Sequence, residues 1–296
     1  MGDAGWIARV GRDTPEIAAS KLRSIRRLVL LTLACEGWIA LRFVPYSSRP
    51  GTYGLVAAAF GLCAIVGWRD RFARAACAFA GALLLGVVVS VFPENANHQY
   101  LALIVLALIL LADSKGAEAE ADAILALQLL RWIALVGIVW AGVMKLWYGY
   151  WLEGEFLAYR LANDPGFARV LGPLVPDAEL ERLLSLGTEV GAGPYRPAAP
   201  LLVAVSNLTW VAEIVLPLGL LSSRTRVPAM LATIGLFLAI EAGAREIIFG
   251  GLMTGLLLLF AQRDRVAQAL PWIAAVYLLW LLQPELTGWL SEGSPQ

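Results

Sequence analysis

Residues 124–147 read ILALQLLRWIALVGIVWAGVMKLW, and this stretch decides the fold. Only Gln128, Arg131 and Lys145 interrupt an otherwise apolar run. At about 1.5 Å per residue such a helix reaches roughly 36 Å, more than the ~30 Å of a bilayer's hydrocarbon core. The run is continuous rather than alternating, which indicates a spanning helix and not a barrel strand.

Working outward, similar runs occur at 28–45, 54–68, 74–92, 98–112, 200–221, 227–242, 247–262 and 266–283. Residues 227–262 as one straight helix would measure roughly 54 Å and overshoot the membrane. The charged group Glu241, Arg245 and Glu246, with Gly243 inside it, marks a turn that divides the stretch. The expected fold is therefore all-α: a polytopic transmembrane helix bundle of about nine spans. Composition agrees, with 59% hydrophobic and only 16% charged residues and a mean hydropathy of +0.70. A soluble domain carries roughly 25% charge, so a soluble enzyme is excluded, and so are a disordered chain and a disulfide scaffold. The 23 basic and 23 acidic residues cancel and leave no nucleic-acid signature. Cys35, Cys63 and Cys77 form no CxxC pair and read as small core residues.

Loop charge sets the expected orientation. With the N-terminus inside, fourteen of the 23 basic residues fall in inner segments. The short outer loops hold only Arg49 and Arg245, so the expected topology is N-in and C-out. The first apolar run is long and lacks a small-residue cleavage site, and reads as an uncleaved span. The chain then forms a single membrane domain over 1–296: a polar inner segment at 1–27, a bundle at 28–283 and an outer tail at 284–296. The outer segment 152–199 is broken by Pro165, Pro173, Pro176, Pro194 and Pro197. Within it, Leu180, Leu183, Leu184 and Leu186 suggest a short amphipathic helix that lies on the membrane or caps the bundle.

Ionisable groups inside spans are costly and point to function. They are Glu36, Arg42, His98, Arg131, Lys145, Glu213, Glu241, Arg245 and Glu246. In the expected topology Arg42, His98, Lys145 and the Glu241–Glu246 turn all collect in the outer half, where a pocket between helices is the default site. Each residue also has a plainer role. Lys145 can snorkel beside an aromatic belt of Trp147, Tyr148, Tyr150 and Trp151. His98 can cap its helix, Glu36 and Arg42 can serve helix packing, and Glu241 and Arg245 can form an i,i+4 ion pair. Glu213 sits four residues before Pro217, whose missing N–H frees a carbonyl there. One histidine, no thiolate cluster and scattered carboxylates give no metal-ligand spacing. What remains is acid–base chemistry by lysine and histidine in a medium of low dielectric. A desolvated lysine can exist as a neutral amine and take a proton from a phenol or hydroquinone.

The run Ala141-Gly142-Val143-Met144-Lys145-Leu146 with Trp151-Leu152-Glu153-Gly154 resembles a signature of the HTTM family, the membrane domain shared with vitamin K-dependent gamma-carboxylases. Asn97-His98-Gln99-Tyr100-Leu101 resembles that family's NHxYL motif. Glu213 to Pro217, Arg224-Thr225-Arg226 and Phe249 to Phe260 follow in family order. The resemblance implies an integral membrane enzyme in which Lys145, with His98 beside it, deprotonates a reduced quinone of the vitamin K hydroquinone kind. Oxygenation of the quinol to its epoxide would drive carboxylation of an acceptor, with O2 and CO2 as co-substrates and no metal. Asn97, Tyr100, Trp151, Arg42, Glu241 and Arg245 would contact substrate, and Glu213 and Pro217 would support the site. The expected partners are the lipid bilayer, the quinone and a peptide or protein acceptor, and no nucleic acid. The expected location is a bacterial inner (cytoplasmic) membrane with the site facing outward. Two other readings stand beside it. One is a non-enzymatic membrane subunit of the DoxX-like sort, and the other is a transporter or immunity-type membrane protein.

Overall fold

Thr14, Pro15 and Glu16 start the first helix. Thr14 Oγ1 caps by accepting from the Ile17 N–H at 3.5 Å, and proline suits the first helical turn, where its missing donor costs nothing. The resulting helix α1 runs Pro15–Leu41. It begins thirteen residues ahead of the apolar run because Ala18, Lys21, Leu22, Ile25, Leu28 and Val29 recur on one buried face. The computed structural model describes residues 13–41, 50–91, 97–112, 119–186, 195–244 and 246–261.

Every regular element among these residues is helical. After α1 come α2 (Pro50–Gly67), α3 (Asp70–Val91), α4 (Asn97–Ala112) and α5 (Ala119–Tyr148). Three short helices follow, α6 (Glu155–Asn163), α7 (Pro165–Leu171) and α8 (Asp177–Ser185), with a 3-10 turn at Gly172–Leu174. The last three are α9 (Pro200–Gly219), α10 (Arg226–Ala244) and α11 (Ile247–Leu258). The expected break near Glu241–Glu246 is present: α10 ends at Ala244 and α11 begins at Ile247. Among the described residues, four helices are long and apolar enough to cross a membrane: Asp70–Ser90, Ala119–Tyr148, Pro200–Gly219 and Arg226–Ala244. Gly51–Gly67, His98–Ala112 and Ile248–Leu258 are shorter apolar helices. The expected ninth span at 266–283 lies outside the described residues.

The chain divides into two compact units, Met1–Trp132 with Ile247–Gln296, and Ile133–Glu246. In the first, α1 contacts α2, α3, α4 and α11. A buried ionic network ties this unit together. The Lys21 ammonium donates to Asp13 Oδ1 at 2.7 Å, to the Leu259 carbonyl at 3.1 Å and to the Ala261 carbonyl at 2.5 Å. Arg131 donates to the Leu259 carbonyl through Nε at 3.0 Å and pairs with Asp13 through its guanidinium. Among the described residues two cations thus meet the Asp13 carboxylate and the chain end of α11, whose carbonyls carry the negative end of the helix dipole.

In the second unit the short helices build their own small core. Leu157, Ala158, Leu161, Phe167, Leu171, Val175, Leu183, Tyr195, Ala199 and Leu202 cluster there. Helix α8 does form over part of the leucine run, and it turns Leu183 fully inward while Leu184 stays exposed. Glu179 fastens the far side of α8, accepting from Arg182 at 2.6 Å and from the Ala198 N–H at 2.8 Å. The Arg182 hydrogen bond holds the Glu179 carboxyl below its ordinary value. A lowered folded value contributes stability above the unfolded carboxylate range and loses it as pH falls through the folded value. Hydrogen-exchange protection over residues 177–186, taken relative to the intrinsic exchange rate at each pH, is therefore expected to fall on acidification below about pH 4 and to hold from neutral pH down to that range.

Candidate functional site

Helix α9 shows why a polar site exists in the second unit. Its buried positions are Leu202, Ser206, Thr209, Glu213 and Pro217, which share one face at helical spacing. Leu208, Val211, Val215 and Leu218 are exposed on the others. Polar groups inside and apolar groups outside is the pattern of a helix in lipid, where ionisable groups turn to the protein.

Glu213 meets Lys145 of α5. The Lys145 Nζ donates to Oε1 at 2.8 Å and lies 2.8 Å from Oε2. Oε2 accepts no well-aligned hydrogen bond and keeps free acceptor capacity. The Glu213 side chain is 4% exposed and that of Lys145 is 20% exposed, so the pair is shielded yet reachable. The ammonium also stands 4.9 Å from the centre of the Trp151 ring, a cation–π distance. Trp151 is fixed in turn by stacking on Phe156, with centroids 4.6 Å apart.

Two local features produce this arrangement. Gly142, one turn before Lys145, lets α5 approach α9 closely. A Cβ at Gly142 would stand 2.8 Å from Ile214 Cγ1 and 2.9 Å from the Trp210 carbonyl. The second is the turn after α5, where Gly149 and Gly154 both take φ of 76°, a conformation that favours glycine. This turn is sewn to α9: Ser206 Oγ donates to the Trp151 carbonyl at 2.7 Å and Asn207 Nδ2 to the Leu152 carbonyl at 2.9 Å. Gly142→Ala is expected to push α5 from α9, loosen the Lys145–Glu213 pair and lower the melting temperature. Gly137→Ala, on the same helix with nothing within 4 Å, is expected to leave melting unchanged or raise it slightly. Parallel thermal melts of the two variants check this.

The other expected site residues divide as follows. His98 belongs to the first unit, where its Nε2 lies 3.4 Å from Glu36 Oε1. Gln99 Nε2 donates to the same oxygen at 2.7 Å. The structure thus pairs Lys145 with Glu213 in one unit and His98 with Glu36 in the other. Asn97 is the first residue of α4, and Tyr100 is exposed on that helix. Glu241 is buried in α10, accepting from the Glu246 N–H, and the neighbouring Gly243 lies against the Phe167 ring. Arg42 and Arg245 lie outside the described residues, and with them the expected Glu241–Arg245 pair. Pro217 lies inside α9 on the same buried face as Glu213. Trp151, part of the aromatic belt in the plainer reading and a substrate contact in the resemblance, is half-buried beside Lys145.

Sequence reasoning gave Glu213 only a supporting role, although the buried Ser206-Thr209-Glu213 face was there to be found at helical spacing. Comparison with protein-family models, curated proteins and solved structures finds no match for this chain.

Proposed function

We propose that this is an integral membrane enzyme that deprotonates a reduced quinone at the Lys145–Glu213 pair, in the manner of the vitamin K-dependent carboxylases it resembles. The single observation that carries the reading is that pair: a lysine on a carboxylate, shielded, beside an aromatic ring, with one carboxylate oxygen still able to accept. In a medium of low dielectric an ion pair and its proton-transferred neutral form lie closer in free energy than in water. Glu213 takes the ammonium proton, and Lys145 as the neutral amine then accepts the hydroxyl proton of the bound quinol. The restored ammonium stands beside the new oxyanion and stabilises it. Trp151 packs one side of the amine and limits access of water to it. The quinol supplies the reducing equivalents for oxygenation, and the acceptor carboxylated by the carboxylases is a peptide glutamate. The loop-charge reading of a nine-span, N-in topology supports a position for the pair toward the outer face of a bacterial inner membrane.

A second reading has its own observation. The contact of Lys145 with both carboxylate oxygens also suits a latch between α5 and α9 in a non-enzymatic subunit. The test is incubation of the protein in lipid vesicles with a reduced naphthoquinone and oxygen, with mass spectrometry of the products. Epoxide from wild type and none from Lys145→Ala is the expected result. No epoxide from wild type moves the assignment to the latch.

A further inference from the structure

Three aromatic side chains stand out at the end of α5. Trp147 is 81% exposed, Tyr148 60% and Tyr150 51%. They occupy four consecutive positions, with Gly149 turning the chain between them. Their neighbour Trp151 is turned onto Phe156 and Lys145, so the chain parts company with the outward set at the next residue.

What lies on either side of the set is asymmetric. Beyond it in the chain, Glu153 and Arg196 form an ion pair with both side chains more than half exposed. Before it, α5 exposes Trp140 and Val136. Along α9 the apolar side of the boundary is the longer one. Asn207 is level with the turn, since it bonds the Leu152 carbonyl. From the next residue onward the exposed stripe is Leu208, Val211, Val215 and Leu218. Charge on one side, hydrocarbon on the other and tryptophan with tyrosine between them is the order met across a membrane–water boundary.

We propose that residues 147–150 are an interfacial anchor lying in the headgroup layer of the bilayer. The anchor holds the Lys145–Glu213 pair just beneath the boundary of headgroups and acyl chains, where a ligand reaches it sideways from the lipid. Glu213 is six residues past Asn207 along α9, so the pair lies on the order of 9 Å below the level of the turn. The lipid interface is the occupant that fits, because the anchor continues the apolar surface of helices long enough to span. Tyrosine and tryptophan also offer a polar tip that hydrocarbon alone would leave unsatisfied. The ligand class rests on the quinol reading above; the depth does not.

Nitroxide labels on p-acetylphenylalanine, introduced singly at positions 147, 150, 182 and 215, leave the three native cysteines untouched. Their collision rates with oxygen and with a water-soluble nickel chelate are measured in phosphatidylcholine–phosphatidylglycerol vesicles. The label at 215 is expected to favour oxygen and that at 182 the chelate, with 147 and 150 between them. The proposal is overturned if 147 and 150 match 182, which places the turn in water, or match 215, which places it in the acyl core. It is also overturned if both labels are shielded from both reagents, which places them against another protein copy. The readout involves no turnover, so a depth as expected with no quinol oxidation would overturn the quinol reading alone.

Discussion

An Asp13→Ala protein is expected to melt on the order of 10 °C below wild type. Asp13 is the carboxylate shared by Lys21 and Arg131, and all three side chains are almost completely buried. Removing one member of a buried ionic group costs about 3–5 kcal/mol, because the remaining charges keep their desolvation cost without their partner. Here the loss removes the carboxylate that Lys21 and Arg131 share beside the Leu259 and Ala261 carbonyls. Those carbonyls follow the last turn of α11, so the end of that helix should loosen together with its contact to α1. Asp13→Asn keeps an acceptor oxygen but not the charge and should fall between the two. Melts of the three proteins in one detergent, with hydrogen exchange over residues 247–261, check the ordering.

Glu213→Gln is expected to reduce quinol turnover by about 100-fold or more, while lowering the melting temperature less than Glu213→Ala does. The amide oxygen of glutamine still accepts from the Lys145 ammonium, so the contact between α5 and α9 survives. It cannot take the ammonium proton, so the transfer by which Glu213 frees the amine is lost. A pure latch would behave differently, since the surviving hydrogen bond would keep its role. Initial rates with saturating quinol, beside a thermal melt of the same sample, separate the two.

The helices were legible where the chain is continuously apolar. Residues 54–68, 74–92, 98–112, 200–221, 227–242 and 247–262 each contain the body of a helix, because lipid requires long uninterrupted runs. The first half of α1 was not read as helix, because its buried face includes Lys21 and its other faces carry Arg23 and Arg27. The start signal Thr14-Pro15-Glu16 was nonetheless there. Lys145 could be singled out because a lysine near the end of a span is chemically conspicuous. Its partner could not, since Glu213 is 68 residues away and only packing of α5 on α9 selects it among the intramembrane carboxylates. The Lys21–Arg131 network was hidden for another reason: its acceptors include backbone carbonyls, which no side-chain pattern marks. Trp151 and Tyr150 differ in fate although adjacent, and the turn between Gly149 and Gly154 decides which of them faces out.

The claim that Lys145 is a base is tested most directly by Lys145→Arg. Guanidinium keeps the positive charge and the hydrogen bonds to Glu213 but is not deprotonated in proteins. The measurement is quinol oxidation by the purified variant in lipid vesicles, alongside a melt that establishes its fold. The expected result is a folded protein with no turnover above the Lys145→Ala background. A folded Lys145→Arg protein that oxidises the quinol at the wild-type rate would contradict the assignment of Lys145 as the proton acceptor.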